Sequence, residues 1–77
     1  GIMFTIDSPE LIELCQRLDV KIIAVKDESR ERGGRYLEIT VEAEFGQKTG
    51  CLIYEESTRH KALPLIAAFF TDWTSEA

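Results

Sequence analysis

The chain has 77 residues, and 14 acidic against 9 basic side chains give it a net charge of −5 at pH 7. This length predicts one domain with a thin core, and the balance of 44% hydrophobic and 30% charged residues excludes a disordered tail. The short apolar runs, the lack of a signal peptide and only two cysteines predict a cytoplasmic protein without membrane spans or a disulfide framework. Residues 1–2, before Met3, are interpreted as a cloning remnant, so the predicted domain covers residues 3–77.

The first predicted element is a helix that begins near Ser8. Serine is a favoured N-cap residue, and Pro9 suits the first helical position because the first N–H of a helix has no intrahelical partner. Apolar residues then recur at intervals of three and four positions, as on the buried side of a helix. This apolar stripe consists of Leu11, Leu14, Cys15 and Leu18. The apolar segment before the helix, Met3–Ile6, is a candidate for a short extra N-terminal strand.

Three strands are predicted in the middle of the chain. The β-branched residues of Val20–Lys26 predict the first strand, and the polar segment 27–35 that follows is expected to be a solvated, mobile loop. Apolar and polar residues alternate strictly over 36–45, which predicts a second strand with one buried and one acidic face. A turn at 46–48 leads into a third strand over 49–55. Short connections of this kind join antiparallel strands, so the second and third strands are expected to form a hairpin.

The last predicted element is a helix over 58–73, bent or restarted at Pro64 because proline cannot donate a backbone hydrogen bond. Its apolar residues surround most of the helix axis, so more than one side of the helix must be covered. Packing against the first helix would cover it, and so would a homodimer formed through this helix. The order of elements predicts an α+β fold. We expect a two-layer sandwich in which two helices lie on one face of a three-stranded antiparallel sheet (α-β-β-β-α).

Residue types that catalysis requires are scarce. His60 is the only histidine, which excludes a metal site with two imidazoles from one chain. Cys15 on the helix stripe and Cys51 in a strand are expected to be apolar core residues rather than nucleophiles paired with this histidine. Glu55 and Glu56 are adjacent strand residues, so their carboxylates point to opposite faces. We therefore predict that the protein is not an enzyme and uses no metal or cofactor.

Basic residues occur in two groups, one in the polar loop and one at the start of the last helix. The α-β-β-β-α order resembles that of a double-stranded-RNA-binding domain over nearly the whole chain. This resemblance implies RNA contacts from Glu13 or Gln16 on the first helix, from the loop and from the start of the last helix. The implied basic contacts are Arg30, Arg32, Arg59 and Lys61. The net negative charge disfavours direct binding of a nucleic acid because it repels the phosphates.

Carboxylates on the polar side of the second strand form the other candidate site. Glu38, Glu42 and Glu44 share that side, and Asp19 lies just after the first helix. Such carboxylates keep an exposed sheet face in solution and hinder unwanted pairing. A rigid acidic face can also imitate DNA phosphates and occupy the basic groove of a nucleic-acid-binding protein. Both interpretations stay open at this point.

Two segments are similar to a small acidic anti-CRISPR protein, which inhibits a type II RNA-guided nuclease by mimicking DNA. One segment runs from Glu10 to Lys21 and the other from Leu65 through Trp73 to Glu76. The resemblance implies a phage or mobile-element inhibitor, with Asp19 at an acidic contact position. It also places the acidic hairpin turn of that family at 46–48, where this chain has a lysine.

These observations predict a small non-enzymatic interaction protein that docks on a nucleic-acid-processing protein. Complementary charge is expected from an acidic face, and buried contact area from the last helix. The predicted acidic contacts are Asp19, Glu38, Glu42 and Glu44. The predicted apolar contacts are Phe69, Phe70 and Trp73.

Overall fold

A computed structural model describes residues 2–76. Gly1, interpreted above as part of a cloning remnant, and Ala77 lie outside the described residues. The elements are α1 (Pro9–Leu18), β1 (Lys21–Ser29), β2 (Arg35–Ala43), β3 (Gly46–Tyr54), a short 3-10 helix (Glu56–Thr58) and α2 (Arg59–Ser75). The strands form one antiparallel sheet in the order β1-β2-β3. The predicted α+β fold with the element order α-β-β-β-α is therefore confirmed.

The core lies between the sheet and the two helices. α2 packs mainly on β3, whereas α1 contacts both α2 and β1. Leu37, Ile39 and Val41 alternate along β2 and are completely buried, which confirms the alternation in this part of the sequence. The buried apolar residues form one continuous cluster. It consists of Phe4, Leu11, Leu14, Cys15, Leu37, Ile39, Val41, Tyr54, Ala62, Ile66 and Phe70.

α1 has the predicted apolar stripe, but the region before it differs from the prediction. The Ser8 hydroxyl accepts a hydrogen bond from the backbone N–H of Thr5 at 2.9 Å and makes no capping bond to the helix. Met3–Ile6 is not a strand. Its residue Phe4 is buried, and the backbone N–H of Phe4 donates to the carboxylate of Asp27 at 2.7 Å. A side chain therefore satisfies this N–H, and the prediction of an extra N-terminal strand was wrong.

The connection between β1 and β2 is shorter than the predicted loop over 27–35. β1 continues to Ser29 and β2 begins at Arg35, so only residues 30–34 form the turn. Gly33 and Gly34 occupy it with φ angles of 99° and 73°, which glycine adopts without steric cost. The sequence appeared loop-like because polar residues continue into the strand pair, where Arg35 lies opposite Ser29.

A β-bulge in β1 sets which of its residues face the core. Ile22 lies opposite Val41, whereas Ala24 lies opposite Thr40, so Ile23 is an extra residue in the ladder. Ile22 and Val25 therefore both pack against the core although they are three positions apart. This irregularity explains why the β1 sequence shows no clean alternation.

The hairpin turn between β2 and β3 lies at Glu44 and Phe45, not at the predicted 46–48. Ala43 pairs with Gly46, whose φ of 144° again suits glycine, so the connecting loop has two residues. The alternation in the sequence runs on through Phe45 because its ring packs on Trp73, with a centroid distance of 4.8 Å. The turn thus carries a carboxylate, where the prediction had placed a lysine.

α2 contains Pro64, so the prediction of one helix is confirmed, and the helix does not restart at this residue. Proline has no N–H for the carbonyl of His60, so one hydrogen bond of the helix is missing at that point. Neither helix within residues 2–76 has the length and apolar character needed to cross a membrane.

Candidate functional site

Three of the four predicted acidic contacts lie around one shallow concavity at an end of the sheet. Asp19, Glu42 and Glu44 line it, and we call these three residues the acidic corner. The concavity has a volume of about 380 Å³, and its lining is completed by Val20, Lys21 and Ala43. Three carboxylates and one ammonium group give it a formal charge of −2.

The end of α1 holds Asp19 in an unusual backbone conformation. Its φ of 56° and ψ of 47° are left-handed, and its N–H donates to the carbonyl of Gln16 at 3.2 Å. This conformation closes many helices and favours glycine, although aspartate and asparagine tolerate it. The tight turn from α1 to β1 therefore fixes the position of the backbone from which the Asp19 side chain projects.

The sheet positions the other two members of the acidic corner. Glu42 lies between Lys21 on β1 and Gln47 on β3, on the face of the sheet opposite the core. The side-chain amide of Gln47 donates to Oε2 of Glu42 at 2.9 Å, which orients that carboxylate. Glu44 is exposed in the two-residue hairpin turn. A helix end, a strand and a turn thus supply one carboxylate each.

Glu38, the fourth predicted acidic contact, does not belong to the acidic corner. It shares the outer face of β2 with Glu42, but four residues of strand separate them by about 13 Å. Glu38 lies opposite Lys26 on β1 and accepts a hydrogen bond from the hydroxyl of Tyr36 at 2.5 Å. That bond raises the pKa of Tyr36 above its ordinary value, and a second hydrogen-bond interaction with the thiol of Cys51 raises it further. The middle of this face is therefore mixed in charge rather than uniformly acidic.

The three predicted apolar contacts differ in their surroundings. Phe70 is 1% exposed and belongs to the core, so its ring is not presented on the surface of the fold as the prediction requires. Phe69 is 41% exposed, and Nζ of Lys48 lies 5.5 Å from its ring centroid. Trp73 is half-buried against Phe45. Successive helical residues are rotated by about 100°, which is why one phenylalanine faces the core and the next one does not.

The basic residues implied by the RNA-binding resemblance are partly engaged within the fold. Arg59 donates from Nε to the carbonyl of Ile2 at 2.7 Å, and its guanidinium lies 3.9 Å from the ring centroid of Phe4. Arg30 donates from Nη1 to the carbonyl of Gly33 at 3.0 Å within its turn. The two remaining basic residues, Arg32 and Lys61, are exposed.

The strongest polar cluster of the fold surrounds Asp27, which the sequence had placed in a solvated loop. Asp27 is 4% exposed, and its carboxylate accepts hydrogen bonds from the N–H of Phe4, from the Tyr54 hydroxyl at 2.6 Å and from Nε of Arg35 at 2.8 Å. Burial raises the pKa of Asp27, but the hydrogen bonds from Tyr54, Phe4 and Arg35 outweigh it, and the pKa lies below its ordinary value. Burial and the bond to Asp27 raise the pKa of Tyr54 to about 12.

The buried polar groups of this Asp27 cluster satisfy one another, which stabilises the fold. Among residues 2–76, every buried side-chain nitrogen and oxygen has a hydrogen-bond partner. The sequence did contain a signal for the cluster, because Asp27 lies two positions after Val25 and so points to the same side of the strand. Because Asp27 is charged, the sequence prediction assigned it to a solvated loop instead of to the buried side of the strand.

Groups suited to metal or thiol chemistry are not assembled in the part of the chain that the structure describes. No set of three or more histidine, cysteine, aspartate or glutamate side chains is arranged to hold a metal ion there. Cys15 is buried, which raises the pKa of its thiol, and Cys51 is exposed on the outer face of β3. Comparison with protein-family models, curated proteins and solved structures finds no match to this chain.

Proposed function

We propose that this chain is a small non-enzymatic inhibitor that docks through its acidic corner on the DNA-binding groove of a nucleic-acid-processing protein. The observation that carries this proposal is the grouping of Asp19, Glu42 and Glu44 around one concavity. Arginine-rich grooves that bind phosphates also bind carboxylates, because both groups accept paired hydrogen bonds. The sequence resemblance makes a type II RNA-guided nuclease the target class to test. The inhibitor would be encoded by a phage or mobile element and act in the cytoplasm of the host.

Two properties of the acidic corner support docking over a purely solubilising role. Within residues 2–76, none of its three carboxylates forms an ion pair, so their charge is available to a partner. The amide of Gln47 also orients the carboxylate of Glu42, and the left-handed backbone at Asp19 sets the direction from which its side chain leaves the turn. A preorganised set of charges loses less entropy on binding than a flexible one.

The test is a triple variant, Asp19→Asn with Glu42→Gln and Glu44→Gln. We expect the unmodified protein to displace labelled duplex DNA from a guide-loaded type II nuclease, and the triple variant to bind about 100-fold more weakly. Fluorescence anisotropy measures the displacement.

A matched control removes three carboxylates elsewhere, through Glu13→Gln, Glu31→Gln and Glu76→Gln, and should stay within about twofold of the unmodified protein. Equal displacement by both triple variants, or none by the unmodified protein, contradicts the proposal. Salt-sensitive retention of duplex RNA on a filter would instead support the RNA-binding alternative that the element order suggests.

Asp19 allows docking to be separated from stability. We expect Asp19→Gly to raise the free energy of unfolding by about 1 kcal/mol, because glycine adopts the left-handed backbone without a steric penalty. The same change removes one docking carboxylate and should weaken DNA displacement. Urea denaturation measures the first effect and the anisotropy assay measures the second. A loss of stability in this variant would mean that the carboxylate itself supports the fold.

A further inference from the structure

The outer side of α2 carries a stripe of four exposed residues that no other element covers. Lys61, Leu65, Ala68 and Asp72 follow one another at intervals of four, three and four residues, which places them on one face of the helix. Leu65 is 63% exposed, and the partly exposed ring of Phe69 lies beside it. The stripe therefore has an apolar middle, a cation at one end and an anion at the other.

The charges on α2 have the opposite sense to the one that stabilises an isolated helix. Its first turn contains no acidic residue and its last turn contains no basic residue. The positive end of the helix dipole thus lies near Lys61 and the negative end near Asp72, and both arrangements are unfavourable. Within residues 2–76, neither of these side chains forms an ion pair that would offset the effect.

We propose that this stripe binds the same stripe of a second copy of the chain, with the two α2 helices antiparallel. Lys61 lies four residues before Leu65, and Asp72 lies four residues after Ala68. A two-fold axis between Leu65 and Ala68 therefore brings Lys61 of each copy to Asp72 of the other, and Leu65 of each copy to Ala68 of the other. The antiparallel arrangement also places the positive end of each helix dipole beside the negative end of the other.

Charge complementarity selects a second copy over an unrelated apolar partner. One stripe supplies both signs at equal distances from its centre, so it is complementary to itself. The small side chain of Ala68 leaves room for Leu65 of the other copy. One helix face is less than a standard interface, so we expect a weak dimer with a dissociation constant of about 100 µM. This surface is separate from the acidic corner, and neither proposal depends on the other.

Analytical ultracentrifugation of charge variants tests the arrangement, over protein concentrations of about 10 to 500 µM. The unmodified protein should dimerise reversibly. Lys61→Asp and Asp72→Lys should each weaken dimerisation at least about tenfold, because each change sets two pairs of like charges against each other. A 1:1 mixture of the two variants should dimerise again, because the heterodimer restores both opposite pairs.

Controls separate this surface from general effects of charge and folding. Arg32→Asp makes the same change of charge at another exposed position and should dimerise like the unmodified protein. Leu65→Glu should abolish dimerisation while its circular dichroism spectrum stays unchanged, because Leu65 is outside the core. A monomer at all concentrations, single variants that dimerise as tightly as the unmodified protein, or a mixture that stays monomeric would each overturn the proposal.

Discussion

Replacing Asp27 by alanine is expected to lower the free energy of unfolding by about 3 to 5 kcal/mol. The change removes the acceptor for three donors, the N–H of Phe4, the hydroxyl of Tyr54 and the guanidinium of Arg35. The N–H and the hydroxyl would then stay buried without their protein acceptor. A domain of this size has a total stability of about 4 to 11 kcal/mol, so much of it would be lost. Urea denaturation measures the change.

Two variants test whether this effect belongs to the hydrogen-bond cluster. Tyr54→Phe removes one donor but leaves the carboxylate with its other partners, so we expect a loss of only about 1 kcal/mol. Glu28→Ala removes an exposed carboxylate from the next position and should be nearly neutral. If Asp27→Ala unfolded at the same urea concentration as Glu28→Ala, the cluster would not stabilise the fold.

The same cluster should determine how stability depends on pH. The pKa of Asp27 lies below its ordinary value of 3.8, so its contribution to stability is complete above about pH 4 and is lost as the pH falls through the lower folded pKa. The pKa of Tyr54 is raised from 10.0 to about 12, so its contribution is complete below pH 10 and is lost as the pH rises to about 12.

Urea midpoints measured against pH check both limbs of this profile. Asp27→Asn should remove the acid component, and Tyr54→Phe should remove the alkaline component attributed to that hydroxyl. An acid limb that persisted in full in Asp27→Asn would assign the acid sensitivity to other carboxylates.

Replacing Phe70 by alanine is expected to cost about 3 to 5 kcal/mol, because it removes a fully buried ring from a close-packed core. Phe69→Ala should cost clearly less. Its ring is partly exposed and packs directly against the backbone of Gly50, so that a Cβ atom at Gly50 would lie 2.9 Å from the ring. Thermal and urea denaturation of the two variants measure the difference between these neighbouring residues.

A conservative variant separates packing from partner contact at this position. Phe70→Leu keeps most of the apolar volume, should cost less than Phe70→Ala, and should leave DNA displacement from the nuclease unchanged. Equal losses of stability in Phe69→Ala and Phe70→Ala would contradict the assignment of Phe70 to the core.

Local periodicity was enough to predict the order of the elements. The spacing of Leu11, Leu14 and Cys15 is that of a helix, and the alternation around Ile39 is that of a strand, because each pattern reflects one buried side of one element. The α+β class follows from these elements, since short turns join antiparallel strands and the helices must cover the apolar side of the sheet.

Turns and buried polar groups could not be predicted in the same way. Phe45 continues the alternation of β2 but lies in the turn, because Trp73, far along the chain, provides the contact for its ring. Asp27 lies in a polar stretch typical of a loop but is buried, and two of its three donors, Phe4 and Tyr54, come from segments 23 and 27 residues away. The sequence around a residue does not show which residues from other segments will contact its side chain.

The sequence by itself determined the elements, the acidic balance and the residue types available for docking, because these depend on composition and on spacing along one segment. Only the tertiary structure decided which carboxylates lie together. The bulge at Ile23 places Lys21 opposite Glu42, whereas in a regular ladder with Ile23 paired to Val41, Lys21 would lie opposite Ala43. That register joins the end of α1 to the end of β2 and forms the acidic corner, while Glu38 stays apart on the same strand. Grouping of residues depends on register and packing, which arise only when the separate segments meet.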